Sequence, residues 1–145
     1  MKWERDIMIV RAYAKVNLAL DIVGVMENGY HDLDMIMAPT SLYDEIEIVY
    51  SSQDKVECDT YAIPENNTVS KMIQLLKKEY SISSCFHVTI HKNIPMMSGM
   101  AGGSTDAAAV LKAIMEMEQL SISFEQQLSL AKQIGADVPF CVYNQ

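Results

Sequence analysis

A cluster of glycines followed by two hydroxyl residues is the most unusual feature of this sequence. The chain of 145 residues has six glycines, fewer than the roughly 10 that average usage predicts. Three of them, Gly99, Gly102 and Gly103, nevertheless fall close together, and Ser104, Thr105 and an alanine-rich stretch follow at once. Glycine lets the backbone approach an anion closely, and the free N–H groups of a helix N-terminus point toward it. We therefore expect a site for a phosphorylated ligand here.

This segment does not match the common phosphate-binding motifs. The chain has no Gly-Lys-Ser or Gly-Lys-Thr of a Walker A loop, and its glycine spacing differs from the GxGxxG of dinucleotide-binding folds. It also lacks the His-Arg-Asp and Asp-Phe-Gly motifs of protein kinases. Taken alone, the glycines are also compatible with tight helix packing, so a purely structural interpretation stays open.

Two other segments carry polar residues in settings that allow chemistry. Lys15 and Asn17 stand two positions apart, on one face of a predicted strand and opposite its apolar side, and a solvated strand face is the plain alternative. Asp137 stands in a turn between Gly135 and Pro139, where an aspartate ordinarily forms the turn. Neither segment predicts a site by itself.

Taken together, these segments resemble the GHMP small-molecule kinases, named for galactokinase, homoserine kinase, mevalonate kinase and phosphomevalonate kinase. The likeness rests on residues 14–18 (Ala-Lys-Val-Asn-Leu), 29–33 (Gly-Tyr-His-Asp-Leu), 94–109 and 135–140, in matching order and separation. Within the superfamily they are most similar to the 4-diphosphocytidyl-2-C-methyl-D-erythritol kinases of non-mevalonate isoprenoid biosynthesis. The resemblance implies the α+β fold of a GHMP-kinase N-terminal domain (ribosomal protein S5 domain 2-like), with a mixed sheet packed against helices.

The resemblance also implies an activity, which is the ATP-dependent phosphorylation of the 2-hydroxyl group of a diphosphocytidyl sugar alcohol, with Mg²⁺ as the expected metal. Asp137 matches the catalytic acidic residue that accepts the proton of the substrate hydroxyl. Lys15 matches the lysine that holds Asp137 in its charged form and orients the nucleophile or neutralises developing charge. The residues that match the loop around the ATP phosphates are Pro95, Gly99, Met100, Ala101, Gly102, Gly103, Ser104 and Thr105.

Substrate recognition falls, by the same resemblance, on residues elsewhere in the chain. Tyr30 and His31 match the pair that reads the cytidine end of the substrate by stacking and hydrogen bonding. Asn17 matches a substrate contact, and Asn67 matches a position near the adenine. Taken alone, Tyr30 would be a core aromatic after a turn and His31 a solvated or capped imidazole. The metal ligands stay unassigned.

The sequence departs from the family pattern in three ways. Residues 96–98 (Met-Met-Ser) occupy loop positions where glycine or alanine is usual, and Thr105 replaces the common serine but keeps the hydroxyl. Family members also carry a second α/β domain, so a C-terminal GHMP domain is expected to be absent from residues 1–145. Two alternatives therefore stay open: a catalytically silent or truncated nucleotide-binding domain, and a kinase for a mevalonate-like alcohol, against which Tyr30 and His31 argue.

Periodicity and capping residues predict the elements that must position these groups. Alternating apolar residues predict strands at about residues 16–22, 45–50 and 86–91, and His87 and His91 are interpreted as solvated on the polar face of the third. The predicted helices run from an Asn67 or Thr68 cap to about Tyr80, from about Ser104 to Gln119, and from a Ser123 cap to Gly135. Strands mixed with such helices predict an α+β or two-layer α/β domain.

Composition limits the function classes. The length fits one domain, and the net charge of −8 leaves no basic surface for a nucleic-acid partner. Three widely spaced cysteines without a zinc pattern indicate reduced thiols in a cytoplasmic protein. We find no signal peptide and no run of about 20 apolar residues, and expect no membrane partner. An absent second domain would leave apolar surface exposed, so we expect this chain to self-associate.

Overall fold

Six strands and four helices make up the described part of the chain. The computed structural model describes residues 7–18, 22–25, 31–33, 36–95 and 102–144, and only the backbone of residues 17–18, 22–25, 31–33 and 36–37. The strands are β1 (Met8–Leu18), β2 (Ile22–Val25), β3 (His31–Leu33), β4 (Ile36–Ser51), β5 (Lys55–Cys58) and β6 (Cys85–His91). The helices are α1 (Thr68–Tyr80), α2 (Gly102–Met117), α3 (Phe124–Ile134) and α4 (Val138–Tyr143).

A mixed four-stranded sheet supports the helices that carry the site. Its strand order is β1-β4-β6-β5, with β4 antiparallel to both of its neighbours and β5 parallel to β6. Helix α1 provides the crossover that two adjacent parallel strands require. Strands β2 and β3 form a separate antiparallel pair. This architecture confirms the predicted α+β fold with a mixed sheet packed against helices.

The core lies between one face of the sheet and the helices. Alternate residues of β6 are buried, with Phe86 and Val88 fully excluded from solvent. Helix α2 is buried continuously from Thr105 to Leu111, and it contacts α1, α4, β1 and β4. A helix that is apolar around most of its circumference belongs in the interior. The small alanine side chains of α2 therefore allow the neighbouring helices and strands to pack closely against it.

The predicted helix boundaries agree closely with the structure because local signals set them. The Asn67 side chain accepts a hydrogen bond from the backbone N–H of Ser70 and caps α1. Ser123 caps α3 in the same way through the N–H of Gln126, and α3 ends at Gly135 as predicted. Helix α2 spans Gly102–Met117, two residues ahead of the predicted range at each end.

The first predicted strand is wrong at both ends. β1 runs from Met8 to Leu18 instead of over residues 16–22. A bulge between Tyr13 and Lys15 shifts its register against β4, so the successive residues Ala14 and Lys15 are both buried. Simple alternation cannot describe such a strand, because the bulge moves later residues to the opposite side from the one that period-two counting assigns.

Two expectations drawn from composition concern membrane-spanning helices and the state of the cysteines. Within the described ranges, no helix combines the length and apolar character needed to cross a bilayer. Cys58, Cys85 and Cys141 are all free thiols, as the sequence predicted. Cys141 is buried, and burial raises the pKa of its thiol to about 11, against the opposing effect of a hydrogen bond with Thr105. A thiol of this kind is a packing group and not a nucleophile.

Candidate functional site

Lys15 and Asp137 come together although they lie near opposite ends of the chain. Lys15 Nζ is 3.7 Å from Asp137 Oδ2, and the exposed fractions of the two side chains are 4% and 46%. A buried ammonium group needs an anionic partner, because removing an unpaired charge from water is costly. The ammonium group of Lys15 is thus buried in the domain, whereas the carboxylate of Asp137 is partly exposed to solvent and can contact a ligand.

The bulge in β1 explains how Lys15 reaches this position. The prediction that Lys15 lies on a polar strand face opposite the apolar side is wrong, since Lys15 is 3% exposed and follows the fully buried Ala14. The register shift after Tyr13 turns the lysine inward, toward the helices. Bulges of this kind re-aim side chains near functional sites, and here the bulge delivers an ammonium group to Asp137.

Asp137 precedes α4 without being used as its cap. It occupies the N-cap position, but its side chain makes no capping hydrogen bond, and Pro139 lies in the first turn. An aspartate at this position ordinarily accepts an N–H group of the helix. The carboxylate of Asp137 is therefore available for Lys15 and for a ligand, which favours the functional interpretation over a simple turn-former.

The N-termini of α1 and α2 meet at the glycine cluster. The Thr68 hydroxyl donates a hydrogen bond of 2.6 Å to the carbonyl of Gly103. A Cβ atom on Gly103 would lie 3.2 Å from Thr68 Oγ1, so glycine permits this close approach. The N–H groups of a first helical turn have no partner within their helix and attract anions. Two such termini in contact make this corner of the domain favourable for phosphate.

The two hydroxyl residues at the start of α2 differ in their exposure. Ser104 is half-buried, whereas Thr105 is fully buried and makes a hydrogen bond with the Cys141 thiol. Ser104 therefore offers the more accessible hydroxyl to a ligand. Thr105 instead links the first turn of α2 to α4, the helix that follows Asp137.

A cluster of buried charges lies next to Gly102, the first residue of α2, and was missed from sequence. Lys92 Nζ is 2.7 Å from Asp44 Oδ2 and 3.1 Å from Asp106 Oδ2. Burial, reinforced by the neighbouring Asp44 carboxylate, raises the pKa of Asp106 well above its usual range, and Lys92 opposes the shift. The available signal was an acidic residue inside each of two apolar stretches, β4 and α2.

A cavity of about 430 Å³ lies beside the N-terminus of α1. Its lining includes Asn67, Ser70, Ile73 and Pro64. The amide of Asn67 accepts a hydrogen bond from the N–H of Ser70 and donates one to the carbonyl of Pro64. The cavity has both apolar and polar groups in its lining, as small-molecule sites do. Through these two hydrogen bonds, Asn67 links Pro64 and Ser70, which both line the cavity.

The family model for the GHMP kinases N terminal domain matches residues 67–145, more than half of the chain. The chain belongs to the GHMP kinase family. A 4-diphosphocytidyl-2-C-methyl-D-erythritol kinase of Clostridium beijerinckii is 46% identical over 138 residues, which are 93% of this chain and 49% of that protein. One of Lachnoclostridium phytofermentans is 43% identical over 141 residues, which are 94% and 48% of the two chains.

A solved structure agrees with these relatives. The crystal structure of a 4-(cytidine 5'-diphospho)-2C-methyl-D-erythritol kinase matches with a TM-score of 0.77 at 30% identity, over 95% of this chain and 50% of that one. The GHMP kinase fold expected from the sequence is therefore confirmed. The chain spans about half the length of the curated relatives it matches.

The structure of this GHMP kinase domain describes only some of the predicted site residues. Lys15, Asp137, Gly102, Gly103, Ser104, Thr105 and Asn67 are placed as given above, and Pro95 is exposed just after the buried Ile94. Asn17 lies in β1 and His31 begins β3, each with its backbone alone described. The residues outside the described part are Tyr30, Gly99, Met100, Ala101 and residues 96–98, where the sequence departs from the family pattern.

His87 and His91 lie on the polar face of β6 and stay partly exposed, as expected, but both also form pairs with acidic side chains that the sequence did not predict. His87 pairs with Glu57, and His91 pairs with Asp59 and Glu47. The hydrogen bond to Asp59 raises the pKa of His91 above its usual value. Both histidines lie on the sheet face away from the helices, where they pair with acidic side chains of β4, of β5 and of the residue that follows β5. They therefore contribute to the sheet and not to the site.

Proposed function

We propose that this chain is the N-terminal, nucleotide-binding domain of a kinase that transfers the γ-phosphoryl group of ATP to the 2-hydroxyl group of 4-diphosphocytidyl-2-C-methyl-D-erythritol. The second domain of the enzyme is proposed to lie outside residues 1–145. The observation that carries the proposal is the pairing of Lys15 with Asp137, both close to Cys141, whose thiol is hydrogen-bonded to Thr105 in the first turn of α2. Two relatives named for this activity, at 46% and 43% identity, support the choice of acceptor.

The nucleotide is proposed to bind across the start of α2. Backbone N–H groups of residues 99–103 and the Ser104 hydroxyl donate hydrogen bonds to the phosphates, and the adjoining N-termini of α1 and α2 stabilise their negative charge. The adenine occupies the cavity lined by Asn67. Pro95 to Thr105 then form the loop around the phosphates, with Thr105 contributing its packing against Cys141.

In the proposed reaction Asp137 accepts the proton of the acceptor hydroxyl. The hydroxyl oxygen forms a bond to the γ-phosphorus while the bond from that phosphorus to the bridging oxygen of the β-phosphate breaks, and ADP leaves. Lys15 holds Asp137 in place and offsets the negative charge that develops on the transferred group. Phosphoryl transfer depends mainly on positioning and electrostatic stabilisation, which these two side chains can supply.

Mg²⁺ fits the donor set as a partner of ATP. This ion is typically held by one or two carboxylates together with substrate phosphates. Asp137 is an exposed carboxylate beside the site, whereas Asp106 is buried against Lys92 and is not available. Because Asp137 is proposed as the proton acceptor, the ion would be held mainly by the phosphates, whose negative charge it neutralises when bound. Tyr30, His31 and Asn17 are proposed to contact the diphosphocytidyl end and the acceptor.

Nucleotide binding by this chain can be tested by calorimetry with a non-hydrolysable ATP analogue and Mg²⁺. We expect one saturable site, weakened several-fold by Ser104→Ala. Ser123→Ala is the matched control, because it removes a serine at the start of another helix, α3, and leaves affinity unchanged. An absence of saturable binding at millimolar analogue would contradict the nucleotide site.

Two further proposals concern the cellular location of the protein and its association state. We propose a cytoplasmic protein, in keeping with its three free thiols. We also propose that the chain self-associates when it is isolated, since Ile7 and Ile9, at the start of β1, are each more than half exposed. A single monomeric species in sedimentation at micromolar concentration would contradict self-association.

A further inference from the structure

The buried charge cluster touches the chain on both sides of the glycine-rich loop. On the entry side, Asp44 Oδ1 accepts backbone N–H groups from Asn93 at 2.7 Å and Ile94 at 2.8 Å. On the exit side, Asp106 lies in the second turn of α2. A Cβ atom on Gly102 would lie only 2.9 Å from Lys92 Nζ, so the start of α2 rests directly on the ammonium group.

We propose that Asp44, Lys92 and Asp106 form a positioning cluster that sets the separation of the two loop ends and thereby the shape of the phosphate site. The ammonium of Lys92 joins the carboxyl group that fixes the entry segment to the carboxyl group carried by α2. The cluster does not reach the reacting atoms and acts through the backbone. This inference rests on the proposed nucleotide site, whose construction it explains.

The charge balance of the cluster requires a proton on one carboxyl group. Asp44 is fully buried, Asp106 is 2% exposed, and Lys92 supplies a single positive charge. Asp106 Oδ1 has no hydrogen-bond partner within the described residues. An uncompensated carboxylate in this setting is strongly unfavourable. A proton on Asp106, donated toward Asp44, makes the cluster neutral, and the raised pKa of Asp106 has the same cause.

This arrangement makes the two acidic residues respond differently to isosteric substitution. In Asp106→Asn, the amide NH₂ replaces the carboxyl O–H as donor toward Asp44, and the amide oxygen still accepts from Lys92. In Asp44→Asn, an NH₂ group can face Lys92 Nζ at the 2.7 Å contact, donor against donor, and the acceptor for Asn93 and Ile94 loses its charge. Charge-assisted hydrogen bonds are the stronger kind, so Asp44→Asn loosens the loop ends.

Hydrogen exchange of the unliganded chain tests the cluster without relying on nucleotide. We expect Asp44→Asn to speed exchange of the Asn93 and Ile94 amides more than tenfold while amides at the centre of α1 keep their protection. Asp106→Asn should leave both sets within threefold of the parent. Tyr50→Phe is the control, because it removes a partly buried hydrogen bond at the opposite end of α2. Equal effects of the two asparagine variants would overturn the proposal.

Affinity for the ATP analogue then distinguishes a cluster that positions the phosphate loop from one that only stabilises the folded domain. Under conditions where every variant is fully folded, Asp44→Asn should weaken binding more than tenfold, and Asp106→Asn and Tyr50→Phe less than threefold. Parent-like affinity in Asp44→Asn would overturn the positioning role while leaving the nucleotide site intact. If the parent itself does not bind, the nucleotide proposal fails, and the exchange experiment still decides the cluster. Asp44→Ala serves as a second variant should Asp44→Asn not fold, because it removes the same charged acceptor, and the same loosening is required of it.

Discussion

Gly102→Ala is expected to destabilise the domain, although alanine is ordinarily the better helix former. The new Cβ atom would lie 2.9 Å from Lys92 Nζ and 3.2 Å from Ile94 Cγ2. The first distance is shorter than real Cβ contacts, so an atom must move. Lys92 has little freedom to do so, since its ammonium is held by Asp44 and Asp106 at 2.7 and 3.1 Å.

The magnitude follows from two opposing effects. Replacing glycine by alanine favours a helix by roughly 0.5–1 kcal/mol, while forcing an extra carbon into a packed site costs typically 1–3 kcal/mol. We expect the clash to prevail, because it strains both a buried ion pair and the Ile94 side chain. The free energy of unfolding should fall by about 1–2 kcal/mol, with weaker binding of the ATP analogue.

Two other glycines in the chain provide graded controls. Gly103→Ala places its Cβ atom 3.2 Å from Thr68 Oγ1, a single tight contact, and should cost less than about 1 kcal/mol. Gly135 has extended backbone with φ −179°, and its added Cβ atom would lie 3.4 Å from Val138 Cγ2, an ordinary contact. Gly135→Ala should therefore change stability by less than about 0.5 kcal/mol.

Urea unfolding followed by circular dichroism measures this series, and calorimetry reports nucleotide affinity on the same samples. The expected order of stability is Gly135→Ala above Gly103→Ala above Gly102→Ala. If Gly102→Ala were as stable as the parent, Lys92 would be free to move aside. The reasoning that treats the charge cluster as a rigid support for α2 would then be refuted.

Two further predictions concern hydrogen bonds away from the site. Tyr50→Phe removes the hydroxyl that donates to Glu118 Oε2 at 2.6 Å and should lower the free energy of unfolding by about 1 kcal/mol; an unchanged urea midpoint would contradict this. Because the hydrogen bond to Asp59, and a weaker one to Glu47, raise the pKa of His91, its stabilising effect is complete below the usual histidine pKa of about 6.5. That effect is lost as pH rises through the raised value in the folded state, so unfolding at several pH values should show His91→Gln destabilising in acid and approaching the parent in alkali.

Local signals made the helices predictable from sequence, whereas long-range pairing hid the rest. Asn67 and Ser123 cap their helices through hydrogen bonds to residues three positions on, so the information lies within one turn. The burial of Lys15 depends on a bulge defined by pairing with β4, which no short window of sequence contains. A single-strand pattern therefore assigned the lysine to the wrong side.

In the candidate site, too, features set by local sequence were predictable and features set by long-range contacts were not. The glycine cluster and the start of α2 follow from composition and spacing, and the resemblance to GHMP kinases brought Lys15 and Asp137 together before any geometry was known. The charge cluster could not be found in this way. Asp44, Lys92 and Asp106 come from three separate parts of the chain, and an acidic residue inside an apolar stretch does not show which distant side chain it contacts.

Phosphoryl transfer by the protein that carries both domains tests the proposed function most directly. The parent should phosphorylate 4-diphosphocytidyl-2-C-methyl-D-erythritol with ATP and Mg²⁺ and leave mevalonate unchanged. Asp137→Asn keeps the side-chain volume but removes the proton acceptor, a change worth about 10²–10⁴-fold in turnover, while binding of the ATP analogue should persist. Turnover of the variant within a few-fold of the parent, or a parent that prefers mevalonate, would contradict the proposal.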